Sequence, residues 1–180
     1  MPRVIVPLAT GFEEIEAITI IDVLRRAEIE VVTAGLERRC VKGAHGIEIK
    51  TDLHIDDVNS EEFDMIILPG GMPGSMHLKN SKKIQSLLGE MDQGGKYIGA
   101  ICAAPIALDE AEVLKSVYTC YPSFEENITN VTYMKSEDVV CDQNIITANG
   151  PKSAIKFSLE IIEKLSGENK MKEIKSQLLL

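Results

Sequence analysis

The sequence predicts an α/β fold with a mostly parallel central sheet, helices on both faces and a small antiparallel hairpin. Short apolar runs alternate with amphipathic helical segments along most of the chain, as is typical of βαβ units that close into a parallel sheet. Residues 40–52 instead alternate apolar and polar side chains around Gly43 and Gly46, which predicts a hairpin. The length of 180 residues predicts one domain, residues 1–180.

The individual elements follow from these patterns. Apolar runs predict strands over residues 3–7, 30–34, 64–68, 97–101, 117–119, 138–141 and 145–147. Helical periodicity predicts helices over residues 13–27, 82–91, 103–108 and 152–165. The last helix follows Asn149-Gly150-Pro151, because proline is favoured in a first helical turn, and Gly167 ends it. Its apolar stripe is expected to be buried and consists of Ile155, Leu159, Ile162 and Leu165.

Charge and hydropathy exclude several function classes. The formal net charge is -9, from 19 Lys and Arg against 28 Asp and Glu, so the chain lacks the concentrated basic surface that nucleic acid requires. No apolar run approaches the roughly 20 residues of a membrane-spanning helix, and the amino terminus shows no signal-peptide pattern. We therefore expect a cytoplasmic protein with neither nucleic acid nor membrane as a partner.

The cysteines and histidines predict neither disulfides nor a metal site. The four cysteines have no paired spacing, and none of the three histidines stands four residues from another ligand in a helical segment. We expect no cofactor and no metal, and structural roles for Cys40 and Cys141.

Cys102 lies where the strand over residues 97–101 must turn into the next helix, among the small residues Gly99, Ala100, Ala103 and Ala104. Such an elbow exposes its central side chain above the sheet. The amino terminus of the helix would favour the thiolate and lower the pKa of Cys102. The alternative is a cysteine that serves as a small buried hydrophobe.

Backbone amides at a neighbouring strand end could assist chemistry at this cysteine. Gly70 and Gly71 follow the strand over residues 64–68, and their N–H groups are unhindered. With the amide of Ala103 they could hold an oxyanion that develops on a bound substrate. A tight turn with positive φ explains the same glycines without any chemistry.

The first helix places Glu13 and Glu16 on its apolar side and Glu14 on the solvent side. The alternative for Glu13 is a local cap, in which its inward carboxylate accepts hydrogen bonds from the free N–H groups at the helix start. If Glu16 is buried beside Cys102, burial and the thiolate would both raise its pKa. Periodicity does not choose between the two inward glutamates.

Taken together, these motifs resemble the ThiJ/PfpI superfamily, and most closely its parkinsonism-associated deglycase (DJ-one-like) subgroup. The motifs are Gly11-Phe-Glu-Glu-Ile-Glu16, Val23-Leu-Arg-Arg-Ala27, Leu68-Pro-Gly-Gly71, Ala100-Ile-Cys-Ala-Ala-Pro105 and Gly150-Pro151. The resemblance implies a flavodoxin-like sandwich that is usually a homodimer. It also implies a nucleophile at Cys102, a protonated glutamate at Glu16, and oxyanion donors at Gly71 and Ala103.

Two positions depart from the family pattern. Many members of the subgroup carry a histidine before a proline where this chain has Tyr121, so a cysteine–histidine pair is not carried over. The protease-like branch has a histidine directly after its nucleophile, where this chain has Ala103. Proteolysis is therefore not expected. The cleft is expected to be lined by Gly70, Tyr121 and Pro151 as well.

The resemblance implies a glyoxalase that needs no glutathione, or a deglycase that acts on methylglyoxal adducts. Its substrate would be a small aldehyde or a glycated molecule. A redox sensor or protective chaperone-like protein that uses oxidation of Cys102 is the alternative from a different functional class.

Overall fold

The computed structural model describes residues 1–180 and contains eleven strands and six α-helices. The strands are β1 (Arg3–Leu8), β2 (Glu30–Gly35), β3 (Cys40–Lys42), β4 (Glu48–Lys50), β5 (Leu53–His54), β6 (Met65–Leu68), β7 (Tyr97–Ile101), β8 (Val117–Tyr118), β9 (Thr132–Tyr133), β10 (Val139–Asp142) and β11 (Ile145–Ala148). The helices are α1 (Glu14–Arg26), α2 (Gly74–Asn80), α3 (Lys82–Gln93), α4 (Pro105–Glu110), α5 (Ala154–Ser166) and α6 (Glu168–Gln177).

Seven strands form the central sheet in the order β10-β11-β7-β6-β1-β2-β5. All neighbours pair in parallel except β10 and β11, which are antiparallel. Strands β3 and β4 form the predicted antiparallel hairpin outside this sheet. The predicted fold class, a flavodoxin-like α/β sandwich, is confirmed.

Helices cover both faces of the sheet, because alternate side chains of its buried strands point in opposite directions. Val4 and Val6 of β1 pack in a core with α1, α5 and α6, whereas Ile5 packs in a second core with α2, α3 and α4. None of these helices is both long and apolar enough to span a bilayer.

The strand order reverses beside β1, which lies between β2 and β6. In open parallel sheets, a crevice forms outside the carboxyl ends of the strands at such a reversal. Three connections meet at this edge: β1 leads into α1, β6 leads into Gly70, and β7 leads into Cys102. The topology therefore gathers the three segments that the sequence marks as chemically interesting.

The structure differs from the sequence-based prediction in several elements. Helices α2 and α6 and strand β5 were not predicted, nor was β9, which pairs in parallel with the predicted strand β8. The helix predicted from residue 103 begins at Pro105, so residues 102–104 form a turn. Helix α5 buries Phe157, Ile161 and Ile162, whereas Ile155 of the predicted stripe is exposed, because the helix packs against α1 and α6 as well as the sheet.

Candidate active site

Cys102 forms a strained elbow at the carboxyl end of β7. Its φ is +64°, in the left-handed region that costs a residue with a Cβ about 1 to 3 kcal/mol. Two backbone hydrogen bonds hold this conformation. The N–H of Cys102 donates to the carbonyl of Ala148 on β11 over 2.9 Å, and its carbonyl accepts from the N–H of Tyr121 over 2.9 Å. The elbow therefore fixes where the sulfur lies.

Glu16 lies in the first turn of α1 and is completely buried, with 0% of its surface exposed. Its Oε2 accepts a hydrogen bond of 2.8 Å from the N–H of Gly70, while Oε1 has no partner within normal hydrogen-bond geometry. Burial raises the pKa of Glu16 to about 7, against a smaller lowering by the Gly70 N–H and the Cys102 thiol. Both protonation states of Glu16 are thus populated at neutral pH.

The thiol of Cys102 is coupled to this carboxyl group. Burial raises the pKa of Cys102, the ionised carboxylate of Glu16 raises it further, and the N–H groups of Ala103 and Gly71 oppose the rise. The direction is opposite to the lowering expected from a helix amino terminus, because Cys102 is only 9% exposed and α4 begins only at Pro105. At neutral pH the thiol therefore keeps its proton, and Glu16 is the group of the pair that titrates.

The hydrogen-bond geometry at Oε1 of Glu16 indicates how closely the thiol and the carboxyl group interact. The thiol influences the pKa of Glu16 as a hydrogen-bond donor, yet no contact of standard geometry reaches Oε1. The thiol–carboxyl contact is accordingly looser than the bond from Gly70.

Gly70 leaves the space in which the two groups meet. A Cβ on this residue would lie 2.5 Å from Cβ of Cys102 and 2.6 Å from Oε2 of Glu16. Both distances are shorter than any van der Waals contact, so a side chain at residue 70 would push the pair apart. Gly70 thus lies beneath the sulfur rather than in the cleft wall where it was expected.

A cleft of about 270 Å³ opens above the sulfur. Its lining includes the predicted residues Gly71, Cys102, Ala103, Tyr121 and Pro151. Glu13, Met72 and Phe124 complete the lining. No sequence pattern predicted that Phe124 and Met72 line the cleft, because loops bring them there. Cys120, beside Tyr121, points away and packs with Ile106 and Tyr118.

The two other glutamates of this segment differ from expectation. Glu13 precedes α1 but its side chain caps no N–H group. Glu14, expected on the solvent side, is buried because the β3–β4 hairpin covers it: its carboxylate accepts from the N–H of His45 over 2.7 Å and that of Ile47 over 3.3 Å. Glu13, Glu14 and His45 have their ligand atoms within 4.8 Å of one another, a grouping that sequence spacing did not predict.

Comparison with known proteins identifies the family. The sequence model of a family described as the DJ-1/PfpI family matches residues 2–164. The chain belongs to the DJ-1/PfpI family. Among its relatives in that family, the Drosophila melanogaster protein dj-1beta is 41% identical over 180 residues, which are 98% of this chain and 96% of that protein. Its crystal structure superposes with a TM-score of 0.96 over 99% of this chain and 98% of that one.

Two further DJ-1/PfpI relatives carry informative names. A Caenorhabditis elegans protein named glutathione-independent glyoxalase DJR-1.2 is 37% identical over 169 residues, or 93% of this chain and 90% of that protein. A structure of oxidized DJ-1 from Toxoplasma gondii has a TM-score of 0.94 and 37% identity over 99% of this chain and 98% of that one.

The crowding around Gly70 generates a prediction for Gly70→Ala. The added methyl group should separate Cys102 from Glu16, and a misplacement of about 1 Å can cost on the order of 100-fold in rate. We expect the rate of Cys102 alkylation by iodoacetamide at pH 7 to change at least tenfold, measured by intact mass.

The matched control is Gly89→Ala in α3, where a Cβ meets nothing within 4 Å. This variant should alkylate at the wild-type rate. An unchanged rate in Gly70→Ala, with wild-type circular dichroism, would contradict the assigned role of Gly70.

Proposed function

We propose that this chain is a cysteine-dependent enzyme that converts small 2-oxoaldehydes, such as methylglyoxal, into 2-hydroxy acids without glutathione. The observation that carries the proposal is the meeting of Cys102, Glu16 and two backbone N–H groups at one cleft. A nucleophile, an adjacent acid–base group and oxyanion donors are the parts that such chemistry needs. The name of the C. elegans relative supports the same activity. Methylglyoxal adducts of amines or thiols are open to the same attack.

The first step is addition of sulfur to the aldehyde carbon. The raised pKa of Cys102 means that the thiol keeps its proton until a base removes it, and the ionised form of Glu16 is that base. As the C–S bond forms, the thiol proton passes to Glu16 and the carbonyl electron pair moves onto oxygen. The N–H groups of Gly71 and Ala103 stabilise the resulting oxyanion, which then takes the proton back from Glu16.

The next steps move a proton along the substrate. Glu16 removes the hydrogen from the carbon attached to sulfur, and the hydroxyl proton on that carbon passes to the neighbouring ketone oxygen, which gives an enediol-type intermediate. Glu16 then returns its proton to the former ketone carbon, and the carbon attached to sulfur becomes a carbonyl. This exchange converts the hemithioacetal into a thioester of the 2-hydroxy acid. Water then adds to the thioester and the C–S bond breaks, which returns the Cys102 thiol. A pKa of about 7 suits a group that must both take and give protons at neutral pH.

A second candidate function is redox sensing through Cys102. The oxidized structure of the T. gondii relative favours it. Oxidation by peroxide would add oxygen atoms to sulfur while the peroxide is reduced to water. The N–H groups that oppose the rise of the thiol pKa would also stabilise an anionic sulfinate.

We also propose that the protein is a homodimer. Ile15 and Ile18 are exposed on α1 and lie three residues apart, so they share one helix face. Ile47 is exposed on the hairpin loop, which Glu14 ties to α1. Exposed apolar side chains on neighbouring elements are typical of a surface that a second copy covers.

The catalytic proposal predicts lactate from methylglyoxal at catalytic enzyme concentrations. Cys102→Ser should abolish turnover and Glu16→Gln should lower kcat by at least about 100-fold, since general acid–base groups typically contribute that much. Lactate is measured by an enzyme-coupled assay with glutathione absent. No product from the wild type, or equal product from Cys102→Ser, would refute the activity; a stable gain of two oxygens at Cys102 under limiting peroxide would then favour the sensor.

The dimer proposal predicts that Ile18→Asp sediments as a monomer of about half the wild-type mass, because a charge at the centre of an apolar interface is not solvated. Leu179→Asp is the matched control, because Leu179 is an exposed leucine near the carboxyl terminus and belongs to neither α1 nor the hairpin. A monomeric wild type, or dissociation by Leu179→Asp alone, would argue against this surface.

A further inference from the structure

One side of the cleft is an aromatic wall, formed by Tyr121 with Phe124 behind it. Tyr121 is 46% exposed although it lines the cleft. The two rings meet nearly edge to face, with centroids 6.4 Å apart and an interplanar angle of 75°. This is one of the arrangements that aromatic pairs favour. The exposed face of Tyr121 is thus available to a ligand, while Phe124 supports the ring.

The wall is also held in place from the backbone. The N–H of Tyr121 donates to the carbonyl of Cys102, and its own carbonyl accepts from the N–H of Phe124 over 3.1 Å. On the other side, a Cβ on Gly150 would lie only 3.2 Å from Cδ2 of the Tyr121 ring. The backbone of Tyr121 is therefore held in place relative to Cys102 before any substrate binds, and a preorganised binding surface lowers the free-energy cost of ordering.

The remaining walls are apolar or negatively charged. Met72, which is 45% exposed, and Pro151 are apolar lining residues. Glu13 is the one charged side chain in the lining, and no lysine or arginine lines the cleft. His45 lies 3.6 Å from Glu13 but only 3.0 Å from Glu14, so even a protonated His45 leaves the three groups with a net negative charge.

From these features we infer that the substrate class of this cleft is uncharged 2-oxoaldehydes with a flat apolar substituent, and that Tyr121 is the residue that selects them. The inference rests on the proposed function and extends it from reaction type to substrate class. The cleft volume of about 270 Å³ lies just below the roughly 300 Å³ at which ligand pockets begin, so the cleft suits a small substrate with one ring better than a larger ligand. The Glu13 carboxylate disfavours substituents that carry a negative charge.

The test compares kcat/KM for phenylglyoxal with that for methylglyoxal in the wild type, Tyr121→Phe and Tyr121→Ala. Both aldehydes react with the same sulfur, so an effect of the substitution on Cys102 itself cancels in the ratio. We expect Tyr121→Phe to keep the wild-type ratio, since the ring remains, and Tyr121→Ala to lower it about tenfold, as loss of a stacking surface should. An equal ratio in all three proteins would overturn the inference.

A second readout separates this inference from the proposed activity. Acetophenone carries the same ring but no aldehyde, and its protection of Cys102 from iodoacetamide is measured in the same three proteins. We expect acetophenone to protect Cys102 and acetone not to, and we expect this protection to be lost in Tyr121→Ala. That result would support the aromatic wall even if neither aldehyde is turned over. A different result would separate the two proposals. If both aldehydes are turned over, but acetophenone gives no protection and the kcat/KM ratio is the same in all three proteins, the proposed activity stands and the proposed substrate class is wrong.

A matched pair of substrates tests the effect of the Glu13 charge. 4-Carboxyphenylglyoxal differs from phenylglyoxal by one carboxylate, and Glu13→Gln should raise its kcat/KM relative to phenylglyoxal by several-fold. A ratio that Glu13→Gln leaves unchanged would show that this carboxylate does not select against anions.

Discussion

The burial of two ionisable groups side by side, the carboxyl group of Glu16 and the thiol of Cys102, is the constraint on which the site depends. Glu16 has no exposed surface and its Oε1 has no hydrogen-bond partner, so an ionised carboxylate there is costly. The thiol is nearly as buried, and the same negative charge works against its ionisation. Neither group holds a stable charge unless the other stays neutral. Proton transfer between them is consequently the step that makes sulfur a nucleophile.

The fold maintains this arrangement by joining three strand ends. Strand β7 ends in Cys102 at a strained φ, β6 ends in a glycine that leaves room for the pair, and β1 leads into the helix that carries Glu16. The strain at Cys102 and the buried carboxylate both reduce the free energy of unfolding. Apolar cores on both faces of the sheet offset these costs. Such local costs in a well-packed scaffold are common at functional sites.

Much of the architecture could be predicted from the sequence, because it depends on local periodicity. The alternation of apolar runs and helices gave the parallel sheet, and small residues around Cys102 indicated the elbow. Burial of Glu14 could not be predicted, since the covering hairpin comes from residues some thirty positions later. The direction of the Cys102 pKa shift was missed for the same reason: it depends on how deeply tertiary packing buries the sulfur. Phe124 reaches the cleft through a turn that no local pattern indicates.

The protonation of Glu16 tests this account most directly. ¹³C NMR of protein labelled at the glutamate carboxyl carbons, with Glu16→Gln to assign the signal, follows the titration of this one group. The account predicts a midpoint near pH 7, in line with the raised pKa of about 7, and a higher midpoint in Cys102→Ala, where the thiol donor is lost. A midpoint near the ordinary value of about 4.3, or one that Cys102→Ala leaves unmoved, would contradict this coupling between the carboxyl group and the thiol.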